Sequence, residues 1–223
     1  MNRRTPRPGP PKRPQAPADL RLAEGVQLDL ADEQTVKQVA YDESDLSGVR
    51  AEGVEFLQCR FRKARLAGSE LDRLRMADCL VETSDLSNLR AKRSAMERVR
   101  VTGARLTGLA WNDGVVIDAT FTDCKIDLAN WRFTRFAAVT FETCNLSRAD
   151  FGQADLRGAT FVDCDLSGAQ FDQARMAGCR FRHCELDGVG GITSWAGAIV
   201  HPDDLPALSR ALAGALGIAI SAE

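Results

Sequence analysis

Residues 144–166 read CNLSRADFGQADLRGATFVDCDL, and the spacing inside this stretch decides the fold. Leu146, Phe151, Leu156, Phe161 and Leu166 stand five apart. Two residues before each stands a small side chain: Cys144, Ala149, Ala154, Ala159 and Cys164. A strand repeats its facing residues every two positions and a helix every 3.6, so neither accounts for a period of five. Inward residues at two positions in five, spaced two then three, fit a chain that makes one short strand and then turns a corner.

The phase holds outward in both directions. Leu46, Phe56, Phe61, Leu66, Leu71, Met76, Val81 and Leu86 keep it on one side, and Phe171, Met176, Phe181 and Leu186 on the other, with Ala51 and Ala91 as the smallest members. A period of twenty lies on top of it. Leu46, Leu66, Leu86, Leu106, Ile126, Leu146, Leu166 and Leu186 form one column. Phe61, Val81, Val101, Phe121, Phe141, Phe161 and Phe181 form a second, and Trp111, Trp131, Phe151 and Phe171 belong to a third. Hydroxyl residues line up outside them, Ser147 and Ser167 beside the leucines and Thr120, Thr140 and Thr160 beside the phenylalanines. Four sides per coil are therefore predicted. Residues 41–190 then make about thirty pentapeptides, or about seven and a half coils. At a parallel-strand spacing of about 4.8 Å they stack into a rod of roughly 36 Å. Glycine is frequent two residues after the central apolar residue (Gly48, Gly68, Gly108, Gly158, Gly168 and Gly188 among others), where a corner needs positive φ.

The triplets Cys144-Asn145-Leu146, Ala149-Asp150-Phe151, Ala154-Asp155-Leu156 and Cys164-Asp165-Leu166 resemble the pentapeptide-repeat family, whose repeat is A(D/N)LXX. The resemblance covers about two-thirds of the chain and implies an all-β fold, a right-handed quadrilateral parallel β-helix. The first half departs from the repeat, with Arg50, Arg60, Arg65, Arg75, Arg90, Arg100 and Arg105 where Asp or Asn is usual, so its coils are expected to be less regular.

Four segments follow. Residues 1–19 read as a disordered tail, because residues 1–17 hold six prolines and five basic residues, no acid and little to bury. Residues 20–40 read as an N-terminal cap. Leu20, Leu22, Val26, Leu28 and Leu30 alternate with other residues at the strand period, and Val36 and Val39 lead into the repeat. Residues 41–190 are the pentapeptide-repeat β-helix. Residues 191–223 read as a cap in which Ile192, Trp195 and Ile199 seal the last coil. A short amphipathic helix ends them, with Asp203 and Asp204 as candidate N-caps, Leu205, Leu208, Leu212 and Leu216 at helical spacing, and Gly217 as the stop.

No catalytic constellation emerges. The seven cysteines, Cys59, Cys79, Cys124, Cys144, Cys164, Cys179 and Cys184, all fall at the inner small position. A linear stack of thiols cannot make a tetrahedron, so they read as buried packing rather than a metal site. The two histidines, His183 and His201, fall at an outward position and in a loop, neither placed to serve a nucleophile. No phosphate-binding loop is present, and a rod plugged by its own side chains leaves no substrate cavity. No cofactor is expected and no enzyme activity. No apolar run approaches the roughly 20 residues needed to span a bilayer. The odd cysteine count, with no export signal, suggests a reducing cytoplasm.

The leading expectation is a non-enzymatic, rod-like protein-interaction scaffold. The family resemblance implies an alternative. Some bacterial members resemble DNA in size and charge, bind DNA gyrase and protect it from fluoroquinolones. That role requires a strongly acidic rod. Residues 41–110 hold eleven acids against thirteen bases, and residues 111–190 hold twelve against eight. The outward column Asp45, Arg65, Asp85, Arg105, Lys125, Asn145, Asp165 and Glu185 alternates in sign, which also argues against direct nucleic-acid binding. In similar family members the C-terminal end forms a twofold dimer. Trp195, Leu208, Leu212 and Leu216 are the candidates for that interface here, or for capping the chain's own rod.

Overall fold

The computed structural model describes residues 9–25 and 28–219. Residues 1–8 of the expected tail, Val26 of the expected cap strand and residues 220–223 of the expected C-terminal cap lie outside the described residues. The chain is a parallel β-solenoid of about nine turns with one short C-terminal helix. Strand partners are twenty residues apart from Thr35 to Arg182. Val36 pairs with Phe56, Tyr41 with Phe61, Ala51 with Leu71 and Phe121 with Phe141, each in parallel. Isolated bridges such as Asp45 to Arg65 and Asn145 to Asp165 carry the fourth side. One coil is therefore twenty residues and four sides, as the column pattern predicts.

The solenoid has more turns than the phase from Tyr41 suggests, because the ladder runs past both ends. The register of twenty already holds at Thr35, opposite Glu55. At the far end the strand Ile199–Val200 pairs with Arg180–Arg182, Val200 opposite Phe181. Before the ladder, Arg21–Leu22 pairs with Val39 and Ala40 and covers the first coil. The alternation predicts a half-buried strand there. Among the described residues from 20 to 30, those two form the strand, with Leu22 and Leu28 turned outward and Leu30 buried.

The core is a single file of side chains. From residue 51 to residue 189 the central and inner residues are buried, and aromatic rings stack directly on their equivalents. Tyr41 lies on Phe61 at 4.9 Å and 4°, and Phe141 on Phe161 at 5.1 Å and 5°. These distances match the coil rise, so the fold itself sets the ring spacing. Arg-rich coils are as well formed as the rest, and Met76, Val81, Met96 and Val101 fill their centres.

The corners correct one expectation. From Glu33 to Gly188 every fifth residue has positive φ except Gly158, and most of these residues are not glycine. Glu43, Arg73, Arg93, Leu128 and Phe133 all adopt it, with φ between 55° and 60°. The strands on either side bury two residues each and force the turn between them. Packing therefore imposes a backbone that side chains ordinarily avoid. Gly158 is needed for a different reason. A Cβ there would meet Ala137 Cα and Ala138 N at 2.9 Å, so its glycine admits the backbone of the preceding coil.

Candidate interaction surface

The interior leaves nothing for chemistry. All seven cysteines are buried and reduced. Several thiols donate to a carbonyl of the previous coil: Cys79 to Phe56 O, Cys144 to Phe121 O and Cys164 to Phe141 O. Ser69 and Thr134 do the same, to Leu46 O and Trp111 O. The inner position thus selects a small side chain that can bond its neighbour coil. Burial pushes the Cys79 and Cys179 thiols up, which keeps them from ionising.

Outside, the alternating charges pair along the rod. Arg62 meets Asp42 at 2.6 Å, Lys63 meets Glu43 at 3.1 Å, Arg65 meets Asp45 at 3.1 Å, and Arg98 meets Asp78 at 2.7 Å, each twenty residues from its partner. Glu70 stands between Arg50 and Arg90, 3.5 Å from each. Arg50, Arg62, Arg65, Arg75, Arg90 and Arg98 of the first half therefore meet carboxylates one coil away. Exposed pairs of this kind stabilise by no more than about 1 kcal/mol each. Their larger effect is to cancel much of the local field where they pair.

The N-terminal segment adds contacts that its composition does not announce. The Lys12 amide donates to Asp118 Oδ1 at 3.2 Å and the Gln15 amide to Asp78 Oδ1 at 3.0 Å. Gln58 Nε2 donates to the Gln15 carbonyl at 3.1 Å. Gln58, Asp78 and Asp118 belong to one corner column. Three residues of polyproline II rise about 9 Å, close to two coils of the rod, so an extended Pro-rich chain matches the spacing of that column. These bonds use backbone groups, which is why no apolar pattern foretells them.

Within residues 41–190, two large apolar residues break the polar exterior. Leu128 and Phe133, on successive corners of one coil, are 54% and 47% exposed. Both have positive φ, where Gly, Asn or Asp sits more easily. The Arg132 guanidinium lies 5.4 Å from the Phe133 ring centroid. The five-residue phase had masked the pair, since it directs attention to the inward positions. The signal that would have found them is a large apolar residue two places after a central one.

At the C-terminal end the four candidate residues divide. Trp195 is buried and stacks on Phe181, with its edge against Phe171. Leu208 packs partly against the core. Leu212 and Leu216 face outward, 44% and 74% exposed, together with Leu205 and Ile218. The helix Leu205–Ala215 ends as its sequence predicts. Gly217 has φ 68°, its amide donates to Gly214 O at 3.1 Å, and the Ile218 amide donates to Ala213 O at 2.9 Å. Its start differs. Asp204 stands at the N-cap but makes no side-chain cap. It is buried, and its Oδ1 accepts the Cys184 amide at 3.0 Å. A buried amide at the end of the ladder has no next coil to bond, and Asp204 supplies the missing acceptor.

The histidines, eighteen residues apart in sequence, come together. Their rings lie 4.8 Å apart, and Asp203 stands between them. Among the described residues this is the one cluster whose donor atoms lie close enough to share a metal ion. A separation near one coil is the signal in the sequence.

The pentapeptide-repeat pattern matches residues 144–182 in eight copies. A search of curated proteins found no significant match. Among solved structures, the chain is similar to HetL, a pentapeptide repeat protein involved in heterocyst differentiation regulation from the cyanobacterium Nostoc sp. strain PCC 7120. The identity is 16%, over 75% of this chain and 85% of HetL, with a TM-score of 0.48. It is also similar to a trypsin-treated variant of QnrB1, a plasmid-mediated fluoroquinolone resistance protein. There the identity is 19%, over 86% of this chain and 95% of that one, with a TM-score of 0.41. Among the described residues, no helix is long and apolar enough to cross a membrane.

Proposed function

The chain belongs to the pentapeptide-repeat family, and from that membership we propose that it acts as a non-enzymatic rod that binds another protein through its exterior. The observation that carries this reading is the exposed pair Leu128 and Phe133, held on left-handed corners amid paired charges. Apolar side chains at strained, exposed positions are what a binding surface needs and what stability alone disfavours. Replacing both with Asp relieves the backbone and removes the apolar contact. The double variant Leu128→Asp, Phe133→Asp is expected to fold with unchanged or slightly higher stability. It should also lose a partner that the wild-type rod retains on affinity capture from its own cells. A partner set that is identical for both proteins contradicts the proposal.

The reading extends to the C-terminal end. Leu212 and Leu216 face outward and are left largely uncovered by the described residues of their own chain, and a twofold pairing of two rods would cover them. Trp195, by contrast, is taken up by its own rod. Light scattering on Leu212→Glu, Leu216→Glu against wild type tests this, since a monomeric wild type removes the dimer.

A further inference from the structure

The chain has two histidines, and both stand at one place on its last coil. His183 occupies a left-handed corner one coil above Asp163, which has the same backbone. His201 follows the terminal strand, and its amide is held by Phe181 O at 3.0 Å. Asp203 comes two residues later, on the turn that leads into the helix. Neighbouring bonds therefore fix the backbones that carry these groups.

We propose that His183, His201 and Asp203 bind a first-row divalent metal ion, Zn²⁺ in the first instance, which ties the C-terminal segment to the last coil. One donor atom from each lies within 4.8 Å of the others. His183 Nε2 is 3.6 Å from Asp203 Oδ2, and His201 Nδ1 is 3.3 Å from the same oxygen. Around a tetrahedral zinc ion, bonds of about 2.0–2.2 Å place ligand atoms about 3.4 Å apart. Two of the separations already have that size. The remaining closure falls on side chains that are exposed or half-buried.

Asp163 gives the cluster a direction. Its Oδ1 lies 3.2 Å from His183 Nδ1. A histidine that donates one ring N–H to a carboxylate presents its other nitrogen as the lone pair, and this outer carboxylate is the usual support of a metal-bound imidazole. The nitrogen so presented is Nε2, the one facing Asp203. Two neutral imidazoles and two carboxylates also balance a dication. The long contact from the Asp203 amide to His201 Nδ1, 3.4 Å, is the bond the ion would replace. Nitrogen and oxygen donors of this kind suit zinc, nickel or copper rather than calcium or magnesium. The remaining coordination positions face solvent and take water.

The test uses the full-length, untagged, chelator-treated protein, titrated calorimetrically with Zn²⁺ and spectroscopically with Co²⁺. The expected result is one ion per chain, with visible cobalt bands lacking a thiolate charge-transfer band. His201→Ala is expected to weaken binding by about 100-fold or more, and Asp163→Asn, which touches no ion directly, by about 10- to 100-fold. Zinc should also slow proteolysis of residues 201–219. The proposal is overturned by the absence of saturable binding, by a thiolate spectrum, or by affinities unchanged in both variants. Both substitutions are at the surface, and a circular dichroism spectrum matching wild type establishes that each variant is folded.

Discussion

Trp195 stacks on Phe181 with ring centroids 4.5 Å apart and planes 18° from parallel. It extends the aromatic ladder one step past the last repeat, although it lies outside the five-residue phase. Its indole nitrogen is buried and finds no partner among the described groups, so the ring serves by area alone. Trp195→Ala should uncover Phe171 and Phe181 and cost about 3–5 kcal/mol in denaturant unfolding. Trp195→Phe should cost less than about 1.5 kcal/mol, since it keeps the stack and gives up no hydrogen bond.

Gly114 makes room for Trp111. A Cβ at Gly114 would lie 2.6 Å from the indole Cδ1 and Nε1 and 2.9 Å from Ser94 O. Gly114→Ala is expected to destabilise by about 1–3 kcal/mol through overpacking. With Trp111→Leu in the background the same change should cost measurably less, because the two sites compete for one volume. A double-mutant cycle reads this directly, and additive costs would show that the two residues are independent.

Asp78 controls an acid limb of stability. The Arg98 guanidinium beside it holds its carboxyl below the usual carboxylate range, and the Gln15 amide adds to the effect. A carboxyl with a depressed folded-state pKa contributes stability above its unfolded value, near 3.9, and loses it as pH falls through the folded value. Wild type should therefore exceed Asp78→Asn in stability at neutral pH by up to about 1 kcal/mol. The difference should shrink as pH drops from 5 towards 2. Hydrogen exchange at the Gln15 amide should rise in the variant, since its acceptor is weakened.

The buried thiols should be silent. Ellman's reagent is expected to report no fast-reacting cysteine in the folded protein and all seven after unfolding. Cys164→Ser should cost no more than about 1.5 kcal/mol, because Ser69 already makes the equivalent bond to the previous coil. A larger cost would mean that the thiol does more than fill space and donate.

The core was legible because every inward position repeats without a slip. Columns such as Phe121, Phe141 and Phe161 report a coil of twenty before any coordinate is known. The corners were legible in place but not in cause. Glycine suggests positive φ at Gly48, yet Glu43 and Phe133 adopt the same backbone because flanking strands impose it. Local sequence offers Asp203 and Asp204 as helix caps, whereas the distant amide of Cys184 claims the Asp204 side chain. The histidine cluster escaped because the register shifts from twenty to nineteen at Phe181 and Val200. Residues 183 and 201 are then brought side by side by a turn outside the repeat. The contacts of Lys12 and Gln15 leave no trace in hydropathy, being backbone amides on carboxylates.

We propose that this rod binds through an apolar site amid paired charges rather than through a DNA-like acidic face. Supercoiling by DNA gyrase, measured with and without a fluoroquinolone while the purified protein is titrated in, tests it most directly. No inhibition of the enzyme and no relief from the drug are expected at any concentration of the rod. Dose-dependent protection or inhibition would contradict it.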